Sequence, residues 1–195
     1  MNTAKTQLLE LVAGTNRGLL AAEKDRIAIL SAIERLEDDN PNPQPLAQTE
    51  LLAGDWRLLY TSSRGILGLG RLPVIDLGQV YQCIRFQGNR LYNLAEINGL
   101  PWLEGLVCVV ATFSAASERR LEVKFERSII GLQKVLGYQS PHQFIRELEG
   151  GKKYFPLDFS LGRRENLGWL EITYLDEDLR LGRGSEGNVF ILSKG

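Results

Sequence analysis

The end of the chain constrains its fold more than any other stretch. From Trp169 onward, Leu170, Ile172 and Tyr174 alternate with Glu171 and Thr173, and the run breaks at Asp176-Glu177-Asp178. Leu179-Arg180-Leu181 comes next, then a corner at Gly184-Ser185-Glu186-Gly187, then Val189-Phe190-Ile191-Leu192. A period of two sends alternate side chains to opposite faces of a strand. Corners this short join antiparallel neighbours, because parallel strands need a long crossover. A terminal meander of this kind closes a sheet or a barrel, and Gly54-Asp55-Trp56, where the β pattern begins, is its candidate partner.

The same period runs through Arg57 to Thr61, Val80 to Phe86, Leu91 to Ile97, Val107 to Phe113 and Leu121 to Arg127, with turn signals at Gly88-Asn89, Asn98-Gly99 and Ser114 to Glu118. Leu121, Val123 and Phe125 alternate most cleanly with Glu122, Lys124 and Glu126, which describes one dry face and one wet face. Adding Tyr154 to Phe159 and the terminal meander gives about eight to nine antiparallel strands, enough for an up-and-down barrel that holds one small ligand. Gly105 and Ala111, in an inward row with Val107, Val109 and Phe113, leave room inside. A barrel filled by its own side chains is the alternative, and alternation alone does not choose between them.

Before the β region the pattern is helical. Leu8, Leu9, Leu11 and Val12, then Leu19, Leu20, Ile27, Leu30, Ile33 and Leu36, recur at three- and four-residue steps, broken by Gly14 and Gly18 into two helices. Pro41, Pro43 and Pro45 end this part. The expected division is a helical segment with a Pro-rich linker over 1–45 and the barrel over 46–195. Two segments leave the strand rhythm: a flexible apolar loop from Arg64 to Asp76 with Gly65, Gly68, Gly70 and Pro73, and a capped helix from Ser140 to Glu149 after the apolar Ile129 to Leu136 stretch. Both are expected at a barrel mouth.

Charge and composition exclude several functions. A net charge of -1 over 195 residues lacks the clustered basic excess of a phosphate-tracking surface, so no nucleic-acid partner is expected. The 44% hydrophobic residues suffice for a sizeable core. Two cysteines, Cys83 and Cys108, make no disulfide framework, and no leader or spanning run is visible, so a reducing compartment with at most peripheral membrane contact is expected. Both thiols read as small half-buried side chains.

Gly182-Arg-Gly184-Ser-Glu-Gly187 spells G-x-G-x-x-G, but a strand follows where the dinucleotide motif needs a helix N-terminus, so these glycines read as hairpin residues. His142 is the only histidine, which leaves no two-His metal site, and it reads as a surface residue. Asp176-Glu177-Asp178 lacks the alternating ligands of a calcium loop. No G-x-S-x-G elbow occurs. No metal, cofactor or catalytic residue is expected, and the chain reads as a non-enzyme.

Leu52-Ala-Gly-Asp-Trp-Arg-Leu-Leu-Tyr-Thr-Ser-Ser, and Tyr174 through Leu192 at the other end, resemble the plastid lipid-associated proteins, or plastid fibrillins. Ile33-Glu-Arg-Leu-Glu leading to Asn40-Pro41-x-Pro43 is similar too, so the likeness runs over nearly the whole chain. The resemblance implies a lipocalin-like barrel that binds or stabilises a carotenoid, quinone or fatty acid at thylakoid membranes or lipid globules. A structural coat with a filled barrel is the alternative. It implies a setting on the cytoplasmic side of a cyanobacterial thylakoid, or a plastid if the host is a plant; without a serine-rich transit segment the cyanobacterial setting is the simpler. Gly54 and Trp56 match the lipocalin G-x-W, whose tryptophan packs on a late arginine, here Arg180 or Arg183; three apart, they lie on opposite strand faces. Tyr60, Val109, Val123, Phe125, Ile172 and Tyr174 are the candidate cavity wall, and Arg127, at the end of an inward row, is the candidate for a ligand carboxylate.

Overall fold

Strong β-formers in period-two runs separated by Gly and Asn corners pair here with their sequence neighbours. The computed structural model describes residues 3–70, 76–100, 102–154, 158–160 and 167–195. Its strands are β1 (Gly54–Thr61), β2 (Asp76–Arg85), β3 (Arg90–Asn98), β4 (Gly105–Ala115), β5 (Arg120–Leu132), β6 (Asp158–Ser160), β7 (Leu167–Leu175), β8 (Leu179–Gly184) and β9 (Val189–Lys194). All pair antiparallel, in the order β4-β3-β2-β1-β9-β8-β7-β5-β6. The additional β4–β5 pairing closes eight of them into a barrel and removes its open edges. β5 runs well past Arg127, the expected end of its strand. Its first half pairs β7 and its second half β6, so the short β6 extends one side of the wall. The strand expected from Tyr154 lies partly outside the described residues.

Strand faces are set by β-bulges. One extra residue in a strand turns every later side chain to the other face. Shifts occur between Leu58 and Tyr60, Leu77 and Val80, Phe125 and Arg127, and Ile172 and Tyr174. Trp56, Leu58, Val80, Ile84, Ala111, Val123, Ile172 and Leu192 share the interior cluster.

Several strands bury both faces, and helices cover the outside. α1 (Thr3–Ala13) and α2 (Glu23–Asp38) place Leu8, Val12, Ile29, Ile33 and Leu36 over outward-facing Leu179, Leu181 and Ile191. Arg183 on the same outer face pairs with Glu37 at 2.8 Å, and Lys5 with Asp176 at 2.7 Å. The link between the helices runs hard against β1: a Cβ on Gly18 would lie 2.4 Å from the Thr61 carbonyl oxygen, and its φ of +105° suits glycine alone. Beyond α2, the Asn40 and Asn42 side-chain amides donate to the Thr173 and Leu175 carbonyls, both at 2.9 Å, which holds the proline-rich link on β7.

The two segments outside the strand rhythm both differ from expectation. Arg64–Leu69 is a short helix, α4, that turns Ile66 and Leu69 toward the barrel interior; 71–75 lie outside the described residues. After α3 (Thr49–Leu52) and α5 (Gln133–Leu136), the expected capped helix is α6 (Pro141–Glu149), with the Ser140 hydroxyl accepting from the Gln143 amide at 3.2 Å. It lies against the outer wall instead of the mouth. Its Phe144, Ile145 and Leu148 match an outward apolar row of Cys83, Leu94, Leu106 and Cys108, and burying both stripes together outweighs the mouth position.

Candidate ligand cavity

The barrel is stoppered at one end. Trp56 is fully buried, its indole N–H donates to the Leu52 carbonyl at 2.9 Å, and Leu52 caps that end from α3. The Arg180 guanidinium lies 4.9 Å from the Trp56 ring centroid and the Lys194 ammonium 5.3 Å from it. Both cations brace the indole. Arg180 is only 1% exposed; its Nη2 donates to Gln82 Oε1 at 2.7 Å, and burial pulls its pKa below that of a free arginine. Lys194 donates to the Leu51 carbonyl at 2.5 Å.

Above the stopper is a cavity of about 480 Å³. Leu58, Val80, Leu91, Val107, Val123 and Leu192 form much of its wall, Ile66 and Leu69 of α4 reach in from the far end, and Ser185, Glu186 and Asn188 of the β8–β9 turn stand at the rim. Gln82 and Asn93 supply polar groups in the wall, with Gln82 Nε2 donating to Asn93 Oδ1 at 3.0 Å. A mostly apolar cavity with a few convergent polar groups is the usual form of a small-molecule site, typically about 300–1,000 Å³.

The sequence profile of PAP_fibrillin matches residues 2–193. The chain belongs to the PAP_fibrillin family. Among its PAP_fibrillin relatives, a light-induced chloroplastic protein of Solanum tuberosum is 32% identical, covering 97% of this chain and 66% of that one. A plastid-lipid-associated chloroplastic protein of Citrus unshiu is 31% identical over 100% of this chain and 68% of its own. A chromoplast-specific carotenoid-associated protein of Cucumis sativus is 30% identical over 97% and 67%. The chain thus spans about two thirds of the length of these relatives. No solved structure matches it.

The barrel separates the expected site residues into two groups. Val109, Val123 and Phe125 line the cavity, and Ile172 is fully buried in the interior cluster beside it. Arg180 meets Trp56, whereas Arg183 points out to Glu37. Gly54, with a φ of +131°, starts β1. Tyr60, Tyr174 and Arg127 do not reach the cavity, and each follows a bulge. Tyr60 and Tyr174 lie outside under α1 and α2, where the Tyr174 hydroxyl donates to Asp176 at 2.7 Å. The bulge at Glu126 turns Arg127 out to Asp158, with Nε donating to Oδ1 at 2.6 Å. That pairing raises the Arg127 pKa and lowers that of Asp158.

Sequence patterning alone does not single out Gln82, Asn93 or Lys194 as site residues. The signal for the first two was present: Gln82 falls between Val80 and Ile84, and Asn93 between Leu91 and Ala95, at inward parity in apolar rows. Gly182 and Gly184, read as turn residues, belong to β8; only Gly187 of the three has positive φ. A Cβ at Gly182 would lie 3.2 Å from Leu170 Cδ1, and one at Gly184 would lie 3.0 Å from Phe190 Cε2. The strand gives up side chains so that its neighbours can lean inward.

Other reactive side chains are placed unfavourably for chemistry. Cys83 and Cys108 are fully buried under α6, more deeply than the half-buried expectation, and burial pushes both thiols up, Cys108 to about 12. A thiol held protonated is a poor nucleophile. His142 is exposed, 3.8 Å from Asp55. Among the described residues no cluster of His, Cys, Asp and Glu suits a metal ion. The acidic corner is held by Lys5, which pairs with Asp176 and Asp178.

Proposed function

We propose that the chain is a non-catalytic carrier or stabiliser of one hydrophobic small molecule, of the carotenoid, quinone or fatty-acid type, at a lipid surface. The observation that carries this reading is the apolar cavity, stoppered by Trp56 and Arg180 and about 480 Å³ in volume. The names of the relatives, plastid-lipid-associated and carotenoid-associated, agree with such a ligand, and their chloroplastic and chromoplastic descriptions agree with a plastid setting.

Contact with a lipid surface fits the mouth. The β3–β4 connection and α5 lie at the mouth end of the strands, and there Leu100, Trp102, Leu103 and Val135 are exposed, Trp102 at 73%. Lys134 lies 5.3 Å from the Trp102 ring, a cation and an aromatic at the tip of an apolar rim. Side chains of this kind favour the boundary between headgroups and hydrocarbon. The contact proposed is peripheral, made by this exposed rim; no helix among the described residues is long and apolar enough to cross a membrane. The ligand would then pass between bilayer and barrel without crossing water.

The deciding experiment is mass spectrometry of an organic extract of the protein purified from its own host. A stoichiometric hydrophobe supports the carrier. A protein that floats with liposomes, yields no extractable hydrophobe and shows no saturable tryptophan quenching by added ones is a coat protein instead.

A further inference from the structure

An unpaired cation is among the costliest groups to bury in an apolar interior, and replacing it by a well-packed apolar side chain is often stabilising. Arg180 is such a group. It is 1% exposed, its Nη2 has the Gln82 carboxamide, and its Nη1 has no partner among the described residues. A second cation, Lys194, adds positive charge on the same indole. None of the ion pairs of the described residues reaches either side chain. Bracing Trp56 accounts for a planar group at this position; it does not account for two positive charges with no counter-charge.

Gln82 relays this polarity to the cavity. Its Oε1 is committed to Arg180 at 2.7 Å, so its amide nitrogen faces Asn93 Oδ1 at 3.0 Å. One lone pair of the Asn93 oxygen is thereby engaged, and its amide nitrogen is a donor for which no side-chain partner stands among the described residues of the wall. Gln82 and Asn93 both stand in the cavity wall. The polar end of an otherwise apolar cavity therefore offers hydrogen-bond donors backed by a buried positive charge. A group that only accepts hydrogen bonds and carries one negative charge complements it.

We infer that the cavity selects hydrophobes that end in a carboxylate, taken head first toward Arg180, with Gln82 and Asn93 as the specificity-determining residues. The inference rests on the carrier reading above and narrows its ligand class: an acid is preferred over a hydrocarbon, alcohol or ester of the same length. The guanidinium does not line the cavity; it acts through Gln82, whose carboxamide it holds with the amide nitrogen toward Asn93, in addition to its place beside Trp56.

The test titrates the full chain with cis-parinaric acid and with its methyl ester, which keeps the tail and the carbonyl but has no charge, and reads probe fluorescence. The acid is expected to bind at least about tenfold more tightly, the effect of one charge-assisted hydrogen bond. Gln82→Glu, nearly isosteric, gives Arg180 an internal counter-charge; it should reduce the acid-to-ester preference to about twofold or less and raise the melting temperature of the empty protein. Asn93→Leu leaves the Arg180–Gln82 pair in place and should cut the preference at least threefold, which covers the case in which Gln82→Glu fails to fold. Equal binding of acid and ester by the native chain, or a full preference surviving in either folded variant, overturns the inference while the carrier reading stands. Binding of neither probe overturns both.

Discussion

At the scale of single residues, the stopper carries a large stability term. Trp56 is fully buried and contacts two cations, so Trp56→Ala should cost about 3–5 kcal/mol, read as a lower urea midpoint with an unchanged slope. The outer walls carry the pH dependence. Burial raises the Asp176 pKa, but the Lys5 ammonium, the Tyr174 hydroxyl and backbone amides outweigh it and bring the carboxyl down to about 2. A folded pKa below the unfolded value of about 3.9 means that this contribution is present above about pH 4 and is lost as pH falls toward 2. Hydrogen exchange should therefore show α1, which carries Lys5, loosening from the barrel across that interval in the native protein and already loosened at pH 7 in Asp176→Asn. At the alkaline end, burial lifts both Cys108 and Tyr92 to about 12. Their contribution is complete below the ordinary thiol and phenol values and disappears as pH rises through 12. At pH 8 both cysteines should resist a thiol reagent in the folded protein and react at once in denaturant.

At the scale of elements, the bulges decide which side chains see the interior. Deleting Glu126 removes the extra residue in β5 and turns Arg127 inward, away from Asp158 and into an apolar barrel. The cost of such an unpaired buried charge is about 3–5 kcal/mol, which a thermal melt of the deletion variant would register as a loss of many degrees or of folding altogether. An Arg127→Met change on the intact strand should cost far less, since the side chain is partly exposed on the outside. A comparable cost in the two variants would mean that the bulge does not set the face. The helices act as covers. α1 and α2 shield outward-facing Leu179, Leu181 and Ile191, so the barrel without residues 1–39 should expose that row and aggregate.

At the scale of the whole molecule, binding and lipid docking use different parts and can be separated. Val109 stands in the cavity wall, and Val109→Trp fills the space within the barrel, so saturable binding of a hydrophobic probe should be lost while liposome flotation is kept. Trp102→Asp with Leu103→Asp alters only the exposed rim; flotation should fall at least tenfold while probe binding in detergent-free solution is kept. If either change abolished both properties, cavity and rim would not be independent.

What the sequence determined by itself was everything that depends on period and local chemistry. Alternation at Leu121, Val123 and Phe125, the turn residues and the capped Ser140 helix are local signals, and an antiparallel barrel with two leading helices was legible from them. The resemblance limits the partner of Trp56 to Arg180 or Arg183, and their opposite parity lets only one of them face it; only the closed barrel put Arg180 against the ring and Arg183 against Glu37. Tyr60 and Tyr174 escaped because β1 and β7 bury both faces, so the change of face at a bulge leaves their apolar pattern unbroken, and Arg127 because the bulge that turns it is a mismatch with the paired strand. The same holds for α6, whose apolar stripe shows that it must be covered and not which wall will cover it. Face and partner follow from the pairing of distant strands, and that pairing exists only once the barrel has closed.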